Sequence, residues 1–141
     1  MTELKQGASP TQVQSANGLV ASAKAHVREV QPDDVAGLLA QGAVLIDVRE
    51  RVELEAEGII PGAVHAPRGV LEWSVDPQSP TFIRALDPTK PVVLYCRSGN
   101  RSALAAQVME KMGYGDVTSL QGGIVRWKTE GRPVAAPQHT L

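Results

Sequence analysis

Residues 91–113, PVVLYCRSGNRSALAAQVMEKMG, change character twice. Pro91 to Cys96 is a continuous apolar run, the composition of a parallel strand buried on both faces. Arg97 to Ser102 is polar and holds a glycine and two arginines. From Arg101 onward Ala, Leu, Met, Glu and Lys dominate, and Gly113 closes what reads as a strong helix.

The same alternation repeats on either side. VREV (27–30) is a short strand, and QPDDVAGLLAQG (31–42) a helix with Pro32 and two acids in its first turn, apolar Val35, Leu38 and Leu39, and Gly42 as its stop. AVLIDV (43–48) is a second continuous apolar strand, followed by the charged helix RERVELEAEG (49–58). AVHAP (63–67) and DVTSL (116–120) are further strands, and GIVRWKTEG (123–131) is the last helix. DPQSPTFIRALDPTKP (76–91) is a Pro-rich connection with room for one helical turn. Strands alternating with helices predict an α/β domain with a largely parallel sheet and helices on both faces. Ligands of such sheets sit beyond the carboxyl ends of the strands, which is where Cys96 falls.

Residues 1–27 read as an N-terminal arm. Its start pairs Ser9 as N-cap with Pro10 in the first helical position, and Val13, Ala16, Val20 and Ala23 recur at helical spacing despite Gly18. An accessory helix and a partly ordered arm both fit. The domain proper is expected over 28–134, with a flexible tail at 135–141.

At 141 residues a single domain is the natural expectation. A net charge of −1 and scattered aromatics (Trp73, Tyr95, Tyr114, Trp127) give no reason to expect nucleic acid or an anionic membrane as partner. One cysteine rules out an internal disulfide and a cysteine-rich zinc site, and His26, His65 and His139 lack the spacing of a metal-binding helix. No metal or cofactor is therefore expected. No apolar run approaches the ~20 residues that span a bilayer, and the polar start MTELKQGASPTQVQS is unlike a signal peptide. The expectation is a cytoplasmic protein with a reduced thiol.

Free cysteines are most often small buried hydrophobes. Cys96, however, ends its strand, and polar residues follow at once. A loop curling from that strand into the helix would turn the N–H groups of Arg97 through Ser102 inward, and Gly99 and Asn100 both tolerate the positive φ angles of a tight concave turn. An amide nest backed by a helix N-terminus binds anions and stabilises thiolates. Surroundings of that kind lower a thiol pKa from near 8.5 to roughly 3.5–7.5. Cys96 is thus the candidate nucleophile, with Arg97, Ser98, Gly99, Asn100, Arg101 and Ser102 as the candidate binding loop.

VLYCRSGNRS resembles the active-site loop of rhodanese-like sulfurtransferases. LIDVRE (45–50), GIIPGAVHAPRG (58–69) and LQGGIVRWKTEGRPV (120–134) resemble further motifs of that family, in the family's order. PRGVLEWSVDP is similar to the continuation in small single-domain members. The resemblance covers about residues 28–134 and implies a central, mostly parallel five-stranded sheet flanked by helices. It also implies a thiosulfate sulfurtransferase working by double displacement: Cys96 takes the outer sulfur of thiosulfate or a similar donor as a persulfide, then passes it to cyanide, a thiol or another thiophilic acceptor. Arg97 and Arg101 would neutralise the donor's anionic end, with Ser98 and Asn100 lining the loop. Where family members often carry a histidine, this chain has Ile59, for which altered surface contacts and intact chemistry are expected.

Asp47 and Arg49 at a strand end invite a catalytic reading, but a structural one is preferred: Asp47 accepts loop N–H groups and Arg49 pairs with a carboxylate. Arg68 is either a supporting residue at the pocket mouth or an exposed loop arginine. Trp127 is expected to pack the last helix onto the sheet.

Three rivals stand beside this reading. Phosphatases and arsenate reductases use a longer C-x5-R cradle, whereas Arg101 follows Cys96 in a C-x4-R spacing. A non-catalytic interaction module of the same fold would commonly lack the cysteine. A protein-to-protein persulfide carrier differs only in who gives and receives the sulfur. The partners are then a small-molecule donor and an acceptor that is either small or a protein. The physiological pair, the pathway, the oligomeric state and the role of the N-terminal helix are left open by the sequence.

Overall fold

A computed structural model describes residues 12–137 of the chain. Five strands form one sheet: β1 Arg28–Val30, β2 Val44–Asp47, β3 Val64–His65, β4 Val92–Tyr95 and β5 Val117–Leu120. Their order is β1-β5-β4-β2-β3. Every neighbouring pair is parallel, so the sheet is wholly and not just mostly so.

Six helices among the described residues pack around it: α1 Ala16–His26, α2 Pro32–Ala40, α3 Arg51–Glu57, α4 Leu71–Ser74, α5 Asn100–Lys111 and α6 Gly123–Thr129. The continuous apolar runs are explained by burial on two sides. Ile46, Leu94 and Cys96 face one core with Ala105, Ala106 and Met109 of α5, Leu71 of α4 and Val75 just after it. Leu45, Val93 and Tyr95 face the other, with Val35 of α2 and Ile124 and Trp127 of α6. Alternate residues of one strand thus enter opposite cores, as the period of two requires. Trp127 packs the last helix as expected, and its indole N–H donates to the Pro133 carbonyl at 2.7 Å.

Some expectations are corrected. Helix α1 starts at Ala16, where the Ser15 hydroxyl accepts the Gly18 N–H at 2.9 Å. Ser9 and Pro10 lie outside the described residues, and Val13 precedes the helix, 98% exposed. The reason is local: Ser15 offers the N–H of the first turn an acceptor, and α1 then seats Ala23 in a fully buried position. The helical turn expected within 76–91 lies upstream, as a 3-10 turn at Arg68–Val70 followed by α4. The Pro-rich segment itself is held by Asx turns, Asp76 Oδ1 accepting from Gln78 N and Asp87 Oδ1 from Thr89 N, each at 2.9 Å. Past residue 134, Ala135 exchanges two backbone hydrogen bonds of 2.8 Å with Ile59, while 138–141 lie outside the described residues. Ile59 is only 7% exposed, which places the residue standing in for the family histidine in the interior and not at the surface.

Candidate active site

Strand β4 ends at Tyr95, and Cys96 follows with 1% exposure. The loop then turns at Gly99, whose φ of 99° is closed to most side chains, and helix α5 begins at Asn100. Gly99 occupies the N-cap position but has no side chain to accept the first free N–H groups. The Cys96 sulfur takes that place. It receives the Gly99 N–H at 3.1 Å and the Ser102 N–H at 3.4 Å. Those donors form the positive end of a twelve-residue helix, which favours negative charge on the sulfur.

The opposite side of the loop is held by α6. The Cys96 carbonyl accepts from Ile124 N at 3.0 Å and the Arg97 carbonyl from Val125 N at 3.1 Å. With those carbonyls drawn away, the loop amides are left to face the sulfur. This approach explains Gly123, where a Cβ would lie 2.4 Å from the Arg97 carbonyl oxygen and 2.5 Å from that of Cys96, whereas a Cβ on Gly122 would meet the Arg126 side chain at 2.6 Å. Of the inward amides anticipated over 97–102, those of Gly99 and Ser102 bond the sulfur, while the side chains of Ser98 and Asn100 belong to exposed residues.

The arginines are placed differently from the sequence expectation. Arg101 makes a two-pronged ion pair with Glu53 of α3, at 2.7 and 2.8 Å. That hydrogen-bonded pairing, outweighing burial, holds the Glu53 carboxyl well below its ordinary value of 4.5, at about 2. Arg97 reaches toward Glu57 at a longer 3.6 Å and stays 58% exposed. Neither is an uncommitted cation. Glu53 and Glu57 stand four apart on one face of α3, matching the four-residue spacing of Arg97 and Arg101. That match was available in the sequence, but nothing there placed α3 opposite the loop.

Asp47 and Arg49 form a fully buried pair, Nη2 to Oδ2 at 2.7 Å and Nε to Oδ1 at 3.0 Å, and the Arg49 backbone N–H also donates to Asp47. Burial works against the guanidinium charge, yet the bond to Asp47 holds its pKa above the ordinary value. Arg49 also donates to the Gly58 carbonyl at 2.7 Å, and its own carbonyl accepts from His65 Nε2 at 2.6 Å. The pair therefore ties the end of β2 to the segment before β3 and to β3 itself. Tyr95 accepts the Ile60 N–H at 3.1 Å; burial first, then Asp47, drive its phenol above the ordinary range, so it remains neutral. Arg68 donates its backbone N–H to the Val48 carbonyl at 3.0 Å, while its side chain pairs with Glu72 at 3.2 Å. His26 and His65 lie on separate elements, and no group of His, Cys, Asp and Glu among the described residues is arranged to hold a metal ion. No helix among them is long and apolar enough to cross a membrane.

Ser119 was missed as well. The Ser102 hydroxyl, 3.5 Å from the Cys96 sulfur, is 2.8 Å from the Ser119 hydroxyl, and both serines are fully buried. Nothing in VTSL marks Ser119 as more than a strand residue. A cavity of about 310 Å³ beside the ends of β2 and β3 is lined by Asp47, Ile59 and His65 among others; Cys96 does not line it.

The comparisons agree with this geometry. The rhodanese-like domain family model matches residues 31–130. A sulfurtransferase of Allochromatium vinosum is 33% identical over 114 residues, covering 79% of this chain and 98% of that protein. The thiosulfate sulfurtransferase GlpE of Pseudomonas syringae pv. syringae is 35% identical over 114 residues, covering 81% of this chain and 94% of that protein. A solved structure from Rhodopseudomonas palustris, described as a protein of unknown function and possible tyrosine phosphatase, superposes with a TM-score of 0.80 at 33% identity, covering 91% of this chain and 99% of that one. With the loop, the strand-end pair and the glycine pair all in place, the chain belongs to the rhodanese-like domain family.

Proposed function

We propose that the protein is a sulfurtransferase that carries sulfane sulfur as a persulfide on Cys96, with thiosulfate as donor. The observation that carries this reading is the sulfur's position as acceptor at the start of α5, with Gly99 N–H 3.1 Å away and Ser102 N–H behind it. Preorganised donors of this kind favour a thiolate nucleophile and a thiolate leaving group. The names of relatives such as the Pseudomonas syringae enzyme supply the donor.

In the first step the Cys96 thiolate attacks the outer sulfur of thiosulfate. A sulfur–sulfur bond forms to Cys96, the bond to the sulfonate sulfur breaks, and sulfite leaves with the electron pair. In the second, a thiophile such as cyanide attacks the outer sulfur of the persulfide, thiocyanate departs, and the Cys96 thiolate is restored. Gly99 N–H and Ser102 N–H stabilise the same sulfur at the start of one step and the end of the other. Arg97, exposed and held only at 3.6 Å, is the cation able to swing toward the donor's sulfonate. Arg101 is committed to Glu53 and serves as a brace that fixes the loop against α3.

Hydrolysis of phosphoesters fits less well. The C-x4-R loop is one residue short of the oxyanion cradle, and the guanidinium that would grip the oxyanion faces a carboxylate instead. Thiocyanate formation from thiosulfate and cyanide, measured beside p-nitrophenyl phosphate hydrolysis, tests the assignment. Thiocyanate production that disappears in Cys96→Ser, without phosphate release in either protein, supports it. Phosphate release dependent on Cys96, without thiocyanate, overturns it.

A further inference from the structure

A hydroxyl at 0% exposure in the interior of a sheet costs free energy unless it is hydrogen-bonded. Ser119 sits in such a position on β5, the second strand from the β1 edge, and its side-chain partner among the described residues is Ser102. Ser102 lies in turn between Ser119 and Cys96, at 2.8 Å from one oxygen and 3.5 Å from the sulfur. The three polar atoms form a line that starts at the strand and ends at the nucleophile. We infer that Ser119 is a positioning residue of this site, whose hydroxyl fixes that of Ser102 so that it donates to the Cys96 thiolate. The inference rests on Cys96 being the nucleophile.

Counting hydrogens gives the line a direction. In the thiol form three hydrogens, on the sulfur and on the two hydroxyls, share two contacts, and one is left over. In the thiolate form two hydrogens serve the same two contacts: Ser119 donates to Ser102, and Ser102 donates to the sulfur. The second arrangement ends on a charge, where hydrogen bonds are about twice as strong as between neutral groups. Donation from Ser119 also polarises the Ser102 O–H and strengthens its bond to sulfur. The same argument applies when an acceptor removes the outer sulfur of the persulfide and charge returns to Cys96.

Charged groups around the loop act on the sulfur independently of Ser119, Arg101 among them by Coulombic attraction to Cys96. Arg101 pairs with Glu53 and Arg97 with Glu57, both on α3; Arg49 pairs with Asp47 at the end of β2, and Arg68 with Glu72 of α4. Substituting Ser119 leaves all four pairs intact.

The test is the rate of Cys96 alkylation by iodoacetamide as a function of pH, in the full chain. Removing the Ser102 donor with Ser102→Ala is expected to move the midpoint of the curve up by about 1–2 pH units, the worth of a hydrogen bond to a charged group. Ser119→Ala, which removes only the polarisation, is expected to move it up by about 0.1–0.6 unit. Because Ser119 acts through Ser102, the double variant should move no further than Ser102→Ala alone. Ser119→Thr and Ser119→Val have the same shape and differ in the hydroxyl, so the Thr variant should keep the wild-type midpoint and the Val variant lose it, even if packing lowers the stability of both. Coincident curves for Thr and Val, or a double variant shifted by the full sum, would overturn the assignment. A wild-type protein that alkylates as described yet takes no sulfur from thiosulfate would count against the proposed donor and leave the role of Ser119 standing.

Discussion

At the scale of single residues, the proposed function gives different work to the two loop arginines, for which the family resemblance implied one shared role. Arg97→Ala removes an exposed charge worth about 1 kcal/mol, so KM for thiosulfate should rise roughly fivefold with little change in kcat. Arg101→Ala should instead lower stability and kcat together, because it frees the loop from α3 and leaves Glu53 without its partner. Steady-state kinetics and a thermal melt on the two variants separate these roles, and the same pattern in both would contradict the division. Glu53 adds a pH dependence. Its folded pKa lies below the ordinary 4.5, so its contribution to stability is fully present above that value and is lost as pH falls toward about 2. The difference in urea midpoint between wild type and Glu53→Gln should therefore hold constant from neutral pH to near 4.5 and shrink below it. The place of Cys96 at the end of a buried strand and the start of a polar loop was legible in the apolar run that stops there. Ser119 and Glu53 were not, since each gains its role from a partner 17 or 48 positions away along the chain.

At the scale of elements, the active loop is clamped between two helices. The N–H groups of α5 point at the sulfur, and those of Ile124 and Val125 in α6 draw the loop carbonyls away. Gly123→Ala tests the clamp. Its φ of 57° and the 2.4 Å approach to the Arg97 carbonyl leave no room for a methyl group, and the strained backbone alone costs about 1–3 kcal/mol. A fall in both melting temperature and Cys96 reactivity is expected; unchanged reactivity would mean that α6 does not shape the loop. Ser15→Ala should cost about 1 kcal/mol in chemical denaturation by removing the α1 cap, without altering the site, which α1 does not enter. Most elements were readable from apolar runs and their glycine stops. The start of α1 was not, because Ser9-Pro10 and Ser15 carry similar capping signals in the sequence. The turn at Arg68–Ser74 was hidden by its brevity, beside a proline-rich segment that drew the helical expectation downstream.

At the scale of the whole molecule, the parallel sheet gathers the loop, its clamp and the strand-end ion pair at the carboxyl ends of β2, β4 and β5, and that buried pair ties β2 to β3. Asp47→Ala would strand a fully buried guanidinium, at a cost of about 3–5 kcal/mol. The alternation of strands and helices made the fold class plain, and β2 and β4 announced their central place by being apolar on both faces. The strand order was not legible, because a parallel sheet allows several orders for the same alternation. The proposed function places the chemistry on one sulfur atom, so the most direct measurement is the intact mass of the reduced protein after incubation with thiosulfate, before and after cyanide, beside Cys96→Ser. The expected result is a gain of about 32 Da, one sulfur held covalently on the nucleophile, that cyanide removes and the serine variant never acquires. The same gain in Cys96→Ser would contradict the account at its centre.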